Sequence, residues 1–292
     1  MKRVLPVAPV LFACMTAAAT AEPTVIDGAA AFPEGPVVID GTLYYAQYGS
    51  HRVSAWDGSA LATLWELPGC GPSAVVPMGE ELLVTCYDNG TVVRIGMDGA
   101  TLATHAADDQ GAPLVGPNDG TPDGEGGVWF TASGPWESGP IVGKVYHLSA
   151  DGTLRAMADD LHYANGIALK DGRLYVNESE AGRVISFAVG TDGSLSDRRL
   201  FVRVAEADAG SAGSYPDGIK AGPDGNFWIG QYSAGRIVVV APDGSFVKAI
   251  DVPSPAAPNM AFSADGKTLF VAAVDDTANP PYAGKVYAVP LE

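Results

Sequence analysis

Apolar residues in this chain fall in short runs, broken every few positions by Gly, Pro, Asn and Asp, a pattern of strands and tight turns. Residues 215–230, YPDGIKAGPDGNFWIG, set the layout: a small polar signature, an apolar segment, a turn, then an aromatic and β-branched run. This reads as a β-hairpin. The same layout returns at 32–49, 71–90, 116–134, 163–182 and 257–274. The signature position is held in turn by Glu34, Ser73, Asn118, Asn165, Asp217 and Asn259, which stand 39, 45, 47, 52 and 42 residues apart. A third strand-like run follows each hairpin, as in HRVSAWDG and TVVRIGMDG, and a fourth follows five of them.

Four short strands repeated six times predict an all-β fold, a six-bladed β-propeller with four-stranded blades. The sixth repeat ends after its third strand, and PTVIDG at 23–28 is free to supply the missing one, so the ring is expected to close on an N-terminal strand. With 36 Gly, 22 Pro, 47% hydrophobic residues and no linker or low-complexity segment, residues 22–292 read as a single domain.

Residues 1–21 read differently. Lys2 and Arg3 precede a mostly apolar stretch and a small-residue end, TAAATA, with an Ala-x-Ala pattern closing at Ala21. That is the pattern of a secretory signal peptide and implies a secreted or periplasmic protein beginning at Glu22. The alternative is a lipoprotein anchored at Cys14. No other apolar run is long enough to span a membrane, so no membrane insertion is expected after leader removal. The formal charge is −17, and a surface of that sign repels phosphate backbones, which excludes nucleic acid as a partner. A monomer acting on a small molecule is expected.

Past the leader only Cys70 and Cys86 remain of the three cysteines. They flank the two strands of the second hairpin at the same end, within reach of a disulfide in an oxidising compartment. Two reduced, buried thiols are the alternative.

Each signature residue begins the innermost strand of its repeat, so the six side chains converge on the channel. A glutamate, an aspartate, three asparagines and a serine form an all-oxygen donor set. It suits one divalent cation, calcium by default, with magnesium, manganese or zinc able to substitute. Crowded carboxylates also need such a cation to stay ionised together. Asp217 is the expected general base, and Asp119 is a second carboxylate beside Asn118. Two longer links, 133–143 and 275–284, carry Trp136 and Tyr282 as candidates for the substrate pocket, with Asn118, Asp119 and Asn259 as further substrate contacts. Residues 206–214, EADAGSAGS, are expected to be mobile at the same rim.

Four of these motifs, PEGP at 33–36, PND at 117–119, NGIA at 165–168 and PDG at 216–218, resemble those of the gluconolactonase/regucalcin family. The likeness runs over nearly the whole mature chain and extends to diisopropylfluorophosphatase-like and paraoxonase-like propellers. It implies a metal-dependent hydrolase of lactones or related esters. It also implies divalent-metal ligation by Glu34, Asn165 and Asp217, with Asn118 on metal or substrate. The chain departs from the sugar-lactone members at Gly116, where those carry an arginine. His162 is the one histidine near a signature position, so the paired histidines of paraoxonase-like sites are absent. Two other readings stay open: a non-catalytic propeller with structural calcium acting as a binding module, and a strictosidine-synthase-like propeller.

Overall fold

Five Asp-Gly pairs recur at corresponding places, and each makes the same turn. Asp57, Asp98, Asp151, Asp192 and Asp243 each accept, through Oδ1, the N–H two residues ahead at 2.8–3.0 Å. The glycine that follows takes a positive φ, +87° at Gly152 for example, which closes the turn without a Cβ penalty. These turns join the third and fourth strands of successive sheets. The hydrogen bonds hold the Asp151 carboxyl down at about 2.

The computed structural model describes residues 22–136, 139 and 141–291. The leader expected over 1–21, with Cys14, lies outside the described residues, as do residues 137, 138 and 140 of the 133–143 link. Strand β1 (Thr24–Ala31) comes first. The first sheet contains β2 (Pro33–Ile39), β3 (Thr42–Gln47), β4 (Arg52–Trp56) and β5 (Leu61–Glu66). The second contains β6 (Pro72–Met78), β7 (Glu81–Cys86), β8 (Thr91–Gly96) and β9 (Thr101–His105). The third contains β10 (Pro117–Pro122), β11 (Val128–Ala132), β12 (Gly143–Leu148) and β13 (Leu154–Leu161). Next come β14 (Ala164–Lys170), β15 (Arg173–Glu178), β16 (Arg183–Val189) and β17 (Leu195–Arg203). The set β18 (Tyr215–Ala221), β19 (Phe227–Tyr232), β20 (Arg236–Val240) and β21 (Phe246–Asp251) follows. It meets β22 (Ala256–Phe262), β23 (Thr268–Val274) and β24 (Ala283–Pro290) through a single bridge, Gln231 to Ala257. The architecture is all-β, built from four-stranded antiparallel sheets in the manner of a β-propeller.

Burial falls outward across each sheet. Every residue of β11 is buried, whereas β9 and β21 have none buried. Apolar side chains from adjoining sheets interdigitate between them, with Leu83 and Val92 of the second packed with Phe130 and Tyr146 of the third. The first strands touch in turn: β2 lies beside β6, then β10, β14, β18 and β22, and β22 lies beside β2 again. β1 runs antiparallel to β24, with Thr24 opposite Ala288 and Ala31 opposite Ala283. Cys70 and Cys86 form a disulfide that closes the mouth of the β6–β7 hairpin.

Residues 206–214 carry local hydrogen-bonded turns. Val204–Ala207 and Ala209–Ser211 make two short helical turns, and Asp208 caps the second. Arg236 then ties Asp208 down through a 2.9 Å ion pair. Among the described residues no helix is long and apolar enough to cross a membrane.

Candidate active site

One irregularity repeats in all six first strands. Each carries a register shift at its signature, where one extra residue enters the ladder: between Glu34 and Val37, Pro72 and Ala74, Pro117 and Gly120, Ala164 and Ile167, Pro216 and Ile219, and Ala256 and Asn259. A β-bulge of this kind bends the strand and re-aims a side chain. Here it turns the signature residues toward the axis. Glycine next to the signature lets neighbouring strands close in: a Cβ on Gly166 would lie 2.2 Å from the Asp217 carbonyl oxygen.

Glu34, Ser73, Asn118, Asn165 and Asp217 line the floor of one cavity of about 390 Å³. The bulged backbones are held by polar side chains from the second strands and the turn that follows β15. Thr131 Oγ1 donates to the Asn165 carbonyl at 2.6 Å, Asn177 Nδ2 to the Asp217 carbonyl, and Ser179 Oγ to the Pro216 carbonyl at 2.7 Å. Asn118 Nδ2 donates to Ser133 Oγ at 2.9 Å, which leaves its amide oxygen outside that bond.

Asn259 does not line the cavity. It lies behind Glu34, donating from Nδ2 to Glu34 Oε2 at 3.2 Å and to Asp119 Oδ2 at 3.3 Å. Asp119 is likewise off the cavity wall, 1% exposed, and its Oδ1 faces Lys220 Nζ at 3.5 Å. Glu34, Asn259, Asp119 and Lys220 thus form one connected chain down the channel. His162 lies off the cavity, its backbone N–H donating to Glu178.

Electrostatics at the floor run against two bare carboxylates. Burial, together with repulsion from Asp119, pushes the Glu34 carboxyl up to about 8, although the Gly35 N–H and Asn259 pull it back. Asp217 is raised well above the usual carboxylate range by burial, then by Glu34 and Asp119. Asn165 Oδ1 is a buried acceptor that no protein donor reaches. Such an orphan is a costly feature for a fold to keep. Two buried carboxylates and an unsatisfied amide oxygen facing one cavity fit a hard divalent cation. Among the described residues no group of three or more His, Cys, Asp and Glu side chains stands at metal-holding spacing. A cation here would therefore draw on amide oxygens as well as carboxylates.

Aromatic rings make the walls. Trp136 comes from the 133–143 link, 53% exposed, with ring centroids 6.1 Å from Phe32, 5.6 Å from Tyr48 and 5.8 Å from Tyr87. Tyr282 joins this cluster from outside the cavity, 5.7 Å from Phe32 and 6.1 Å from Tyr48. Tyr232 stacks on Phe32 at 6.2 Å. Sequence reasoning picked Trp136 and Tyr282 but not the other rings. Their signal was present: an aromatic stands two residues before the signature at Phe32, Tyr163 and Tyr215, and another ends or follows the second strand at Tyr48, Tyr87 and Tyr232.

Residues 32–275 match the family model described as the SMP-30/gluconolactonase/LRE-like region. The chain is 26% identical over 181 residues to 6-deoxy-6-sulfogluconolactonase of Pseudomonas putida, covering 59% of this chain and 60% of that protein. It is 26% identical over 207 residues to the diisopropyl-fluorophosphatase of Loligo vulgaris, covering 64% of each. The match thus spans less than two thirds of either relative. Among solved structures, a gluconolactonase from Xanthomonas campestris superposes with a TM-score of 0.74 at 25% identity, covering 92% of this chain and 89% of that one.

Proposed function

The chain belongs to the SMP-30/gluconolactonase/LRE-like family, and on that footing we propose that it is a lactone hydrolase whose channel floor works with one divalent cation. The observation that carries this reading is the floor itself. Two buried carboxylates and an unpartnered amide oxygen face the same cavity, which among the described residues no Lys, Arg or His lines. Glu34, Asn165 and Asp217 would hold the ion, with Asn118 beside them, and calcium is the default choice for such oxygen donors. When bound, that cation supplies Lewis acidity where negative charge develops on a lactone carbonyl.

The chain's own residues do the rest. Asp217 accepts the proton of the attacking water as the new C–O bond forms, and returns it to the ring oxygen as the ester C–O bond breaks. The product is a hydroxy acid. Asn118 orients the substrate from the side, and the aromatic walls keep bulk water from the reacting carbonyl.

The same reading takes the sheets as six four-stranded blades in a closed ring, with β1 completing the last; the circuit of first-strand neighbours and the β1–β24 pairing support it. Export of a monomer into an oxidising compartment is proposed as well, supported by the leader pattern and the disulfide.

Two carboxylate variants test the assignment. Asp217→Asn keeps an oxygen donor but removes the base, so turnover at saturating cation should stay about two or more orders of magnitude down. Glu34→Gln should act through cation affinity, and excess cation should recover most of the rate. Equal recovery of both would leave Asp217 a ligand only.

A further inference from the structure

The cavity also says which part of a substrate it accepts away from the ester. We infer that the substrate is an uncharged aryl lactone, one carrying an aromatic group and neither an anionic substituent nor a run of hydroxyls. This rests on the lactone-hydrolase reading and adds the substrate class to it.

Charge supplies the first reason. Among the described residues no Lys, Arg or His lines the cavity, whereas Glu34, Glu180 and Asp217 do. Away from the cation at the floor, a carboxylate, sulfonate or phosphate on the substrate would therefore be desolvated beside Glu180, with no Lys, Arg or His to receive it.

Hydrogen bonding supplies the second. Several hydroxyls of the walls are already turned to the protein. Tyr48 donates to Asp88 at 2.8 Å, and Tyr87 to the Gly134 carbonyl at 3.0 Å, with Tyr163 a further 3.0 Å from Tyr87. Ser73 donates to the Pro117 carbonyl at 2.9 Å and Ser179 to that of Pro216. A polyhydroxylated ring would leave water for walls whose hydroxyl donors are largely engaged, the open amide acceptors lying at the floor on Asn118 and Asn165. Tyr48, Tyr87 and Tyr163 thus offer the cavity their rings.

Space supplies the third. Two residues before Asn118 stands Gly116, behind the Tyr87 ring of the wall at φ +61°, and a Cβ there would fall 2.2 Å from the Gly134 carbonyl oxygen and 3.1 Å from the Tyr87 ring. No longer polar side chain fits that position while Tyr87 holds it. Trp136 then offers a half-exposed indole against Phe32, Tyr48 and Tyr87, at the spacings of edge-to-face and tilted aromatic pairs. A bicyclic aryl lactone fits a cavity of about 390 Å³, with its carbonyl at the floor and its ring against Trp136.

The test uses purified full-length protein supplied with calcium. Initial rates are measured on 3,4-dihydrocoumarin, a sulfonate-bearing dihydrocoumarin and D-glucono-1,5-lactone, and heats of binding are titrated for the same three. Dihydrocoumarin should show a kcat/KM at least about tenfold above the other two. Trp136→Ala should raise its KM about tenfold, and by far more than it raises the KM for gluconolactone, while Trp136→Phe keeps most of the affinity. Because Trp136 is on an exposed link, these variants leave the sheets intact. The inference is overturned if gluconolactone or the sulfonate is handled as well as dihydrocoumarin, or if Trp136→Ala changes nothing. Should none of the lactones be hydrolysed, the hydrolase reading falls by itself. The titration then decides: selective binding of the uncharged aryl compound sustains the substrate class, and equal or absent binding removes it too.

Discussion

Glu34 concentrates the energetic conflict of this molecule in one side chain. Its carboxyl is raised from 4.5 to about 8 in the folded, cation-free protein, so folding favours its protonated form. Stability from that preference is fully present below about pH 4.5 and is lost as pH rises through about 8. Chelator-treated protein should therefore lose unfolding temperature between those limits by more than its Glu34→Gln variant does, and added divalent cation should restore more at pH 8 than at pH 5. Parallel pH profiles for the two proteins would show that Glu34 is not under this strain. Which residues face the channel was readable from the chain alone, because Glu34, Asn118, Asn165 and Asp217 sit at one place in a spaced repeat. Their different depths were not readable. Asp119 and Asn259 sit behind the cavity wall because each finds a partner there, Lys220 and Glu34 respectively, and such pairing depends on residues far apart in sequence.

At the scale of the element, the decisive feature is the bulge in each first strand. Short apolar runs between turn residues located these strands, but one inserted residue leaves no mark in a run only seven residues long. Glycine after Glu34, Asn165 and Asp217 was the trace it did leave, through the close approach of neighbouring strands. Gly166→Ala tests that account. Its new methyl would meet the Asp217 backbone, so the variant should lose about 1–3 kcal/mol of unfolding free energy and bind divalent cation more weakly. Denaturant titration and cation titration report the two effects, and an alanine tolerated without loss in either would mean the strands have room to spare. Polar residues ending the second strands, Thr131, Ser133, Asn177 and Ser179, belong to the same device. They clamp the bulged backbones by donating to first-strand carbonyls, a role with no local mark in the sequence.

Across the whole molecule, the β1–β24 pairing and the channel floor belong to one arrangement of sheets. Removing residues 22–31 would strip β1 from β24 and expose a long strand edge, which invites association. The truncated protein should unfold at lower temperature and aggregate on purification; a monomer of unchanged stability would contradict the closed six-bladed reading. Repeat length and strand count were legible because each hairpin repeats its own turn chemistry. The aromatic walls were less so, since rings from three different repeats gather around Phe32 only once the sheets are arranged about the channel. The central claim is that this channel floor, with one divalent cation, hydrolyses lactones. Its most direct test is the rate of 3,4-dihydrocoumarin hydrolysis by chelator-stripped protein as calcium is added back. The account predicts hydrolysis near background without cation, rising to a plateau as one calcium binds per chain. Full activity in the stripped protein, or none at any calcium concentration, would contradict it.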